Sequence, residues 1–482
     1  MTDPRTSNVA PTRAASRYRR WWPAVVAIVA MVIAALVMVP RMPGENARGA
    51  WQPPAQTSLA EPMDAQPVVG WRAHVTDLGL PAADPGAVQL SRIGATNPPY
   101  PRDPFLGTLG DSAYFLATSP GEPTARWWLV GVDVRDGHRL FPAVPLNVQS
   151  ALPPHCFRNG PTALLCVHTG NDAGRTVWVI DSRSGAVIFT GPTELNTGAG
   201  HNWVQQVGDY AVAETMNKGI SGIGPHGELT WFVPGDGTVG GRQPRNSDLP
   251  TQTLTSQRSA QRGSDQSVVF SVVDGTIATP ELNPDIVQQS TIVHSSGFVA
   301  ELHGRDDSAR RAIGFFDTAG KQRGQRNDAT VTALGWQDVP VLRRADAPHY
   351  WVSNAEGESL AAVRLDGALA AVRLVGSRLF LGADPTRWDA WVQYDLATGE
   401  QAATCKVAMA DDYLGSHGST AVFTFGDPDT GIGMVARDLD TCETRWRMEP
   451  EAGSSRRVWR AGLTLIQFSA DATELSSLVA PH

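Results

Sequence analysis

Between Trp388 and Lys406 the chain alternates. Trp391, Gln393 and Asp395 stand on one side of a period-two pattern and Val392, Tyr394 and Leu396 on the other, as in a strand buried on at least one face. Ala397-Thr398-Gly399 breaks the run, Gly399 being free to take a positive φ, and a second strand leaves from Glu400, so the stretch predicts a hairpin. The same hairpin recurs with Asp and Gly four residues apart at Asp133 and Gly137 and at Asp181 and Gly185. A fourth copy keeps Asp438 but has Cys442 where the turn glycine belongs, and a shorter one sets Asp317 three residues before Gly320. Looser copies occupy 220–232 and 268–282. Steps of 48, 136, 78 and 43 residues separate the clear copies; read as one, three, two and one repeats, they give a unit of roughly 40 to 48 residues, the length of four short strands in one propeller blade.

A strand ending in Asp, then x-x-[Thr/Ser]-Gly, then an outer strand often carrying an aromatic, resembles the pyrroloquinoline-quinone-type (PQQ-like) β-propeller repeat. That resemblance covers about 68–482. It implies an all-β fold of seven or eight four-stranded blades, eight favoured, and a family that holds both quinoprotein dehydrogenases and non-catalytic relatives.

Residues 1–20 hold Arg5, Arg13, Arg17, Arg19 and Arg20 against Asp3 and read as a disordered basic arm. Trp21 to Val39 (21–39) carries no charge and, at 1.5 Å per residue, reaches roughly 28 Å, about a bilayer's hydrocarbon thickness. A cleaved signal would need a shorter apolar run closely followed by a small-x-small site; Ala47-Arg48-Gly49 lies well downstream, beyond two prolines. An uncleaved single-pass helix is therefore expected, with the arginine-rich end cytoplasmic and the rest of the chain extracytoplasmic at the cell membrane. With the arm basic, the remainder of a chain of net charge −8 is more acidic still, which suits neither nucleic acid nor anionic lipid as a partner.

Residues 41–66 contain four prolines and no sustained periodicity, and read as a semi-rigid linker. Val68 to Val75 reads as a strand. The carboxy-terminal runs 458–461, 463–469 and 474–479 lack a fourth strand, and a propeller closes its ring by lending the amino-terminal strand to the last blade, so 68–75 is expected there. Between these ends the chain offers blades at 104–147, 155–195, 201–235, 250–287, 289–326, 330–373, 374–408 and 411–449. With the carboxy-terminal strands that is one more than eight; 250–287 and 330–373 carry the weakest pattern. Trp127, Trp128, Trp178, Trp231, Trp391, Trp446 and Trp459 are read as recurring at one phase of the repeat and are expected to pack between blades.

Four cysteines in an outward-facing chain suggest disulfides. Cys156 and Cys166 flank an Asn-Gly-Pro turn and Cys405 and Cys442 lie near one repeat apart, which suggests these two pairs; three connectivities remain open. Gly222 to Gly227 formally matches a dinucleotide fingerprint, but Leu229, Trp231 and Val233 then alternate as a strand, so a hairpin turn is expected. Asp427, Asp429 and Asp438 resemble a calcium loop with the wrong residues at its fifth and sixth positions. The sequence shows no metalloprotease, zinc or nucleophile-elbow motif, and lacks the adjacent cysteines that the PQQ-type resemblance would imply beside a quinone. The expected function is a non-catalytic binding, scaffold or sensor module for a protein or cell-envelope ligand, with no cofactor or metal; the alternative is a quinone-dependent oxidoreductase with a site in the propeller funnel.

Overall fold

The computed structural model describes residues 45–81, 89–90, 104–119, 126–148, 152–170, 174–198, 200–259, 266–305, 311–331, 335–345, 349–365, 367–383, 391–402, 407, 409, 412–427, 431–450, 457–469 and 473–481. The chain divides into two compact units, 1–46 and 47–482. The expected arm and membrane span, 1–20 and 21–39, lie outside the described residues. Among those described, no helix is long and apolar enough to cross a membrane, and the only helix is Glu45–Ala50.

The second unit is all-β. Eight sheets are antiparallel with at least four strands each, and a ninth has two. Blade 1 comprises Phe105–Leu109, Ser112–Ser119, Arg126–Asp133 and Val144–Leu146, with Gln89–Leu90 extending its inner edge; blade 2, His155–Arg158, Ala163–Thr169, Arg175–Asp181 and Val187–Pro192; blade 3, Trp203–Val207, Tyr210–Thr215, Gly219–Ile223 and Leu229–Pro234. Among the described residues blade 4 has only the strands Leu254–Arg258 and Ser267–Ser271. Blade 5 comprises Ile286–His294, Gly297–Gly304, Arg311–Asp317 and Gln322–Arg326; blade 6, Ala329–Thr330, Val341–Arg344, His349–Ser353 and Ser359–Arg364; blade 7, Ala371–Val375, Arg378–Gly382, Trp391–Asp395 and Glu400–Gln401. Blade 8 comprises Tyr413–His417, Thr420–Asp427, Gly431–Asp438 and Thr444–Met448; blade 9, Arg457–Ala461, Thr464–Phe468 and Glu474–Val479, completed by Val68–His74. That last strand pairs antiparallel with Glu474–Val479, Val68 opposite Val479, so the ring is closed by the strand expected to close it.

The eight four-stranded blades expected from the repeat are all present, and the weakly patterned 250–287 forms the short ninth sheet. It is a full member of the ring. Nine separate apolar clusters each lie between consecutive sheets: one joins blade 3 to blade 4 through Val212, Val233 and Phe270, the next joins blade 4 to blade 5 through Leu254, Val269 and Phe298, and one joins blade 9 to blade 1 through Trp459, Phe468 and Phe115. First strands of neighbouring sheets touch, those of blades 1 and 2, 2 and 3, 8 and 9, and 9 and 1 among them.

The repeated Asp and Gly have a single local cause. At the turn between third and fourth strands the aspartate accepts from the following backbone: Asp181 Oδ1 takes the Ser184 N–H at 2.8 Å and Asp438 Oδ1 the Thr441 N–H at 2.9 Å. The Ser184 hydroxyl, which donates to Asp181 Oδ1 at 2.7 Å, and then the Ser184 N–H hold the Asp181 carboxyl below the usual aspartate range, and the Thr441 N–H does the same for Asp438. Four residues on, Gly185 has φ 69° and donates to Asp181 O at 2.9 Å, and a β-carbon there would sit 2.5 Å from the Phe141 ring of the preceding blade. Glycine is therefore required twice, for its backbone and for its neighbour. Cys442 occupies the same position with φ 64°, donating to Asp438 O at 2.8 Å.

Six of the seven tryptophans singled out are buried in the inter-blade clusters and Trp231 is half-buried. They do not share one phase: Trp128, Trp178 and Trp391 are on third strands, Trp231 and Trp446 on fourth strands and Trp459 on a first strand.

Candidate functional site

Ligand sites of propellers lie where the first strands meet, so the interior of the ring is the place to look. In this chain the interior is crossed by the chain's own residues 236–252. Blade 4 explains how. Ser271 stands where blades 1, 2, 5, 7 and 8 have the turn aspartate, its Oγ accepting the Val273 N–H at 3.2 Å and its carbonyl the Gly275 N–H at 2.9 Å. Ser267–Ser271 is thus a third strand and Leu254–Arg258 a second, so blade 4 has no regular first strand. Residues 236–240 run irregularly in that place: Asp236 N–H donates to Arg258 O at 2.9 Å and Gly240 N–H to Ser256 O at 2.5 Å. The approach is close enough that a β-carbon on Gly240 would strike Ser256.

The segment then leaves blade 4 for the opposite arc. On blade 7 the buried Arg373 donates through Nη1 to Asn246 O at 2.9 Å and through Nη2 to Arg245 O at 3.2 Å, while its Nε reaches Met409 O at 2.9 Å. On blade 8, Tyr413 accepts the Asn246 side-chain amide at its carbonyl, 2.9 Å, and donates its hydroxyl to Asp248. On blade 9, Arg460 Nη1 pairs with the other Asp248 oxygen. Gly240 and Asp248 are eight residues apart, a reach of about 27 Å at most, yet Gly240 stands in the first-strand place of blade 4 while Asp248 bonds first-strand residues of blades 8 and 9, across a nine-membered ring. Such a path passes through the middle.

Residues 51–66 close the same side. This segment, part of the expected semi-rigid linker 41–66, lies along blades 7 to 9. Gln56 exchanges two hydrogen bonds with the Gly376 backbone at 2.7 and 3.0 Å, Thr57 N–H donates to Asp248 O at 2.6 Å, and Arg460 Nη2 donates to Thr57 O at 2.5 Å. Leu59 and Met63 are buried in the cluster between blades 8 and 9, and Trp446 Nε1 donates to Met63 O at 2.8 Å. Proline and a lack of periodicity exclude regular structure; they do not exclude packing.

The interior is charged. Burial, opposed by the nearby Arg373, raises the Asp338 carboxyl to about 6, while its Oδ2 accepts the Leu374 N–H at 2.7 Å. Burial and then the neighbouring Asp248 carboxylate push the Tyr413 phenol well above its usual value. Burial lowers Arg158, whose Nη1 lies 3.3 Å from Asp209. Between blades 4, 5 and 6 a cavity of about 10 Å³ is lined by Gln252, Thr253, His294 and Trp336. His294 is held by Ser296 at Nδ1, 3.1 Å, and burial lowers it to about 4. That volume suits one water molecule and no larger guest.

A quinone of the kind the PQQ-type resemblance implies does not fit: the interior positions where it would lie are taken by Asn246 and Asp248 bonded to three blades. The segment was not singled out in the sequence. Its signal was the spacing, nineteen residues between Pro234 and Leu254 where a first strand was due, together with the run Gly235-x-Gly237-x-x-Gly240-Gly241.

The predicted cysteine pair Cys156 and Cys166 is a disulfide, its residues directly opposite in blade 2 with Cα atoms 4.0 Å apart. Cys442 is disulfide-bonded, and Cys405 lies outside the described residues. Gly222 to Gly227 is the turn of a blade 3 hairpin, Gly227 N–H to Gly224 O at 3.1 Å, as expected. Asp429 of the calcium-like loop lies outside the described residues. Among the described residues no three His, Cys, Asp or Glu side chains gather to hold a metal.

A family model described as a conjugation-associated 9-bladed β-propeller domain matches residues 44–481. An uncharacterized protein of Mycolicibacterium smegmatis (strain MKD8) is 36% identical over 474 residues, covering 95% of each chain. Among solved structures, BamB from Moraxella catarrhalis is similar at 15% identity, TM-score 0.27, over 66% of this chain and 97% of that one. A eukaryotic initiation factor is similar at 10% identity, TM-score 0.43, over 74% and 90%.

Proposed function

The chain belongs to the conjugation-associated nine-bladed β-propeller family, and from that premise we propose that it is a membrane-anchored, extracytoplasmic, non-catalytic binding or scaffold module of a conjugation apparatus. The observation that carries this reading is the crossing segment. Residues 236–252 and 51–66 take up the interior with hydrogen bonds to blades 4, 7, 8 and 9, so what the propeller offers to a partner is its outer surfaces. The uncharged run 21–39 and the arginines before it support the anchor and its orientation. The PQQ-like resemblance enters only as the source of the turn geometry, since a funnel cofactor has no room. The partner is a protein or envelope component; the acidic balance argues against nucleic acid.

Proximity crosslinking of the full chain in its native envelope tests the proposal, paired with transfer frequency in a strain lacking the gene. Recovery of other envelope proteins of the transfer machinery, with lowered transfer restored by the wild-type chain, is the expected result. Unchanged transfer would remove the functional assignment, and a bound chromophore in the purified chain would restore the oxidoreductase alternative.

A further inference from the structure

In an antiparallel four-stranded blade the turns from first to second strand and from third to fourth strand share one face of the ring, and the other connections share the opposite face. Two independent features fall on the first of these, the turn face.

The chain enters the ring there. Arg48 Nη1 donates to Leu360 O at 3.3 Å beside the blade 7 turn glycine Gly399, and Gln56 holds the first turn of blade 7 at Gly376. Val39, the end of the uncharged run, is nine residues from Arg48, at most about 30 Å of chain.

Exposed apolar side chains also collect there. Val187, Ile188, Leu229, Val273, Ile277 and Leu463, each 40–49% exposed, stand in or beside these turns in blades 2, 3, 4 and 9. The positions after the turn glycine or its replacement in blades 6, 7 and 8 are Glu358, Glu400 and Glu443, all exposed. In a nine-membered ring, blades 2 to 4 lie opposite the entry point at blade 7. A short tether on one side and an apolar arc on the other are two points of attachment, enough to lay a face flat.

We propose that the turn face rests on the membrane, its apolar arc seated in the interfacial region of the lipid, so that the opposite face is presented to partners. This rests on the anchor reading above. The occupant is lipid because the tether brings the bilayer within reach of this face, and the attraction is apolar because the glutamates of blades 6 to 8 repel anionic headgroups.

The test uses the full chain in phospholipid nanodiscs containing a diazirine lipid, with labelled peptides mapped by mass spectrometry. Label is expected on 21–39 and on the peptides holding Ile188, Leu229 and Ile277, little changed by salt. In the double variant Ile188→Glu, Ile277→Glu the propeller label is expected to fall roughly tenfold while that on 21–39 persists. Label on 21–39 but none on the turn face, or label on the opposite turn at Met216 to Lys218, would overturn this inference and leave the anchor standing; docking of a protein there would give the same lipid-free result. Absence of label on 21–39 would overturn the anchor itself and the inference with it.

Discussion

Removing the Asp248 carboxylate should loosen the segment that crosses the ring. Asp248 is 1% exposed and Arg460 7%, and the carboxylate takes both the guanidinium and the Tyr413 hydroxyl. In Asp248→Ala the guanidinium keeps Gly462 O at 3.0 Å and Thr57 O but stays buried without a counter-charge. Breaking such a pair from one side costs about 3 to 5 kcal/mol, whereas replacing both members by apolar groups of similar volume is often neutral. With an unfolding entropy near 2 cal/mol/K per residue, a unit spanning 47–482 loses about 1 °C of Tm per kcal/mol, hence about 3 to 5 °C in the single variant. The double variant Asp248→Leu, Arg460→Met should recover most of that loss. Thermal unfolding by calorimetry reads the Tm, and hydrogen exchange reads protection over 241–250. A single variant with unchanged Tm and unchanged protection would refute the view that this pair fixes the segment in place.

Asp338 and His294 should give the fold opposing pH slopes. Burial raises Asp338 from 3.8 to about 6, so between about pH 4 and 6 the folded chain holds a proton that the unfolded chain has released, and stability falls as pH rises. Burial lowers His294 from 6.5 to about 4, so over nearly the same window the unfolded chain holds the extra proton and stability rises with pH. Each slope is worth about 3 kcal/mol; Asp338→Asn should unmask the rising limb and His294→Gln the falling one in denaturant titrations at several pH values, and parallel pH profiles in wild type and both variants would contradict it. Non-reducing peptide mapping is expected to find Cys442 joined to Cys405; under reducing conditions Cys442→Gly should be more stable than wild type by about 1 to 2 kcal/mol, since φ 64° suits glycine. Gly185→Ala should cost clearly more than Gly418→Ala, because both have positive φ but only Gly185 meets a neighbouring ring; equal Tm losses would show that the ring contact is immaterial. A chain beginning at Asp77 should aggregate, having lost the strand that covers Glu474–Val479, while one beginning at Ala47 should stay soluble.

The blades were legible because each is specified locally. In blades 1, 2, 5, 7 and 8 an aspartate caps its own turn, and a glycine or its replacement sits four residues later, three at Asp317, so one hairpin identifies the others. Blade 4 was hard to count because Ser271 replaces the aspartate and its first strand is gone, yet Val269 and Phe270 still supply both inter-blade clusters. The crossing segment was not legible for a different reason. Asn246 and Asp248 gain their roles from Arg373, Tyr413 and Arg460, more than a hundred residues away, and nothing within 236–252 specifies those partners. The same holds for 51–66, whose prolines announce irregular backbone while Leu59 and Met63, two apolar residues without periodicity, are what bury it.

The closing strand also sets an order in time. Val68–His74 leaves the ribosome well before its hydrogen-bonding partner Glu474–Val479, and Trp71 N–H waits for Ser477 Oγ across 406 positions. The segment 51–66 likewise waits for blades 7 to 9. Trp71 Nε1 finds Val134 O in blade 1 at 2.9 Å, but the strand's backbone ladder stays open until Glu474–Val479 is made, so a growing chain carries an unpaired edge and one interrupted before blade 9 never loses it. A product truncated before blade 9 is left with an open edge by which quality control can tell it from a closed ring.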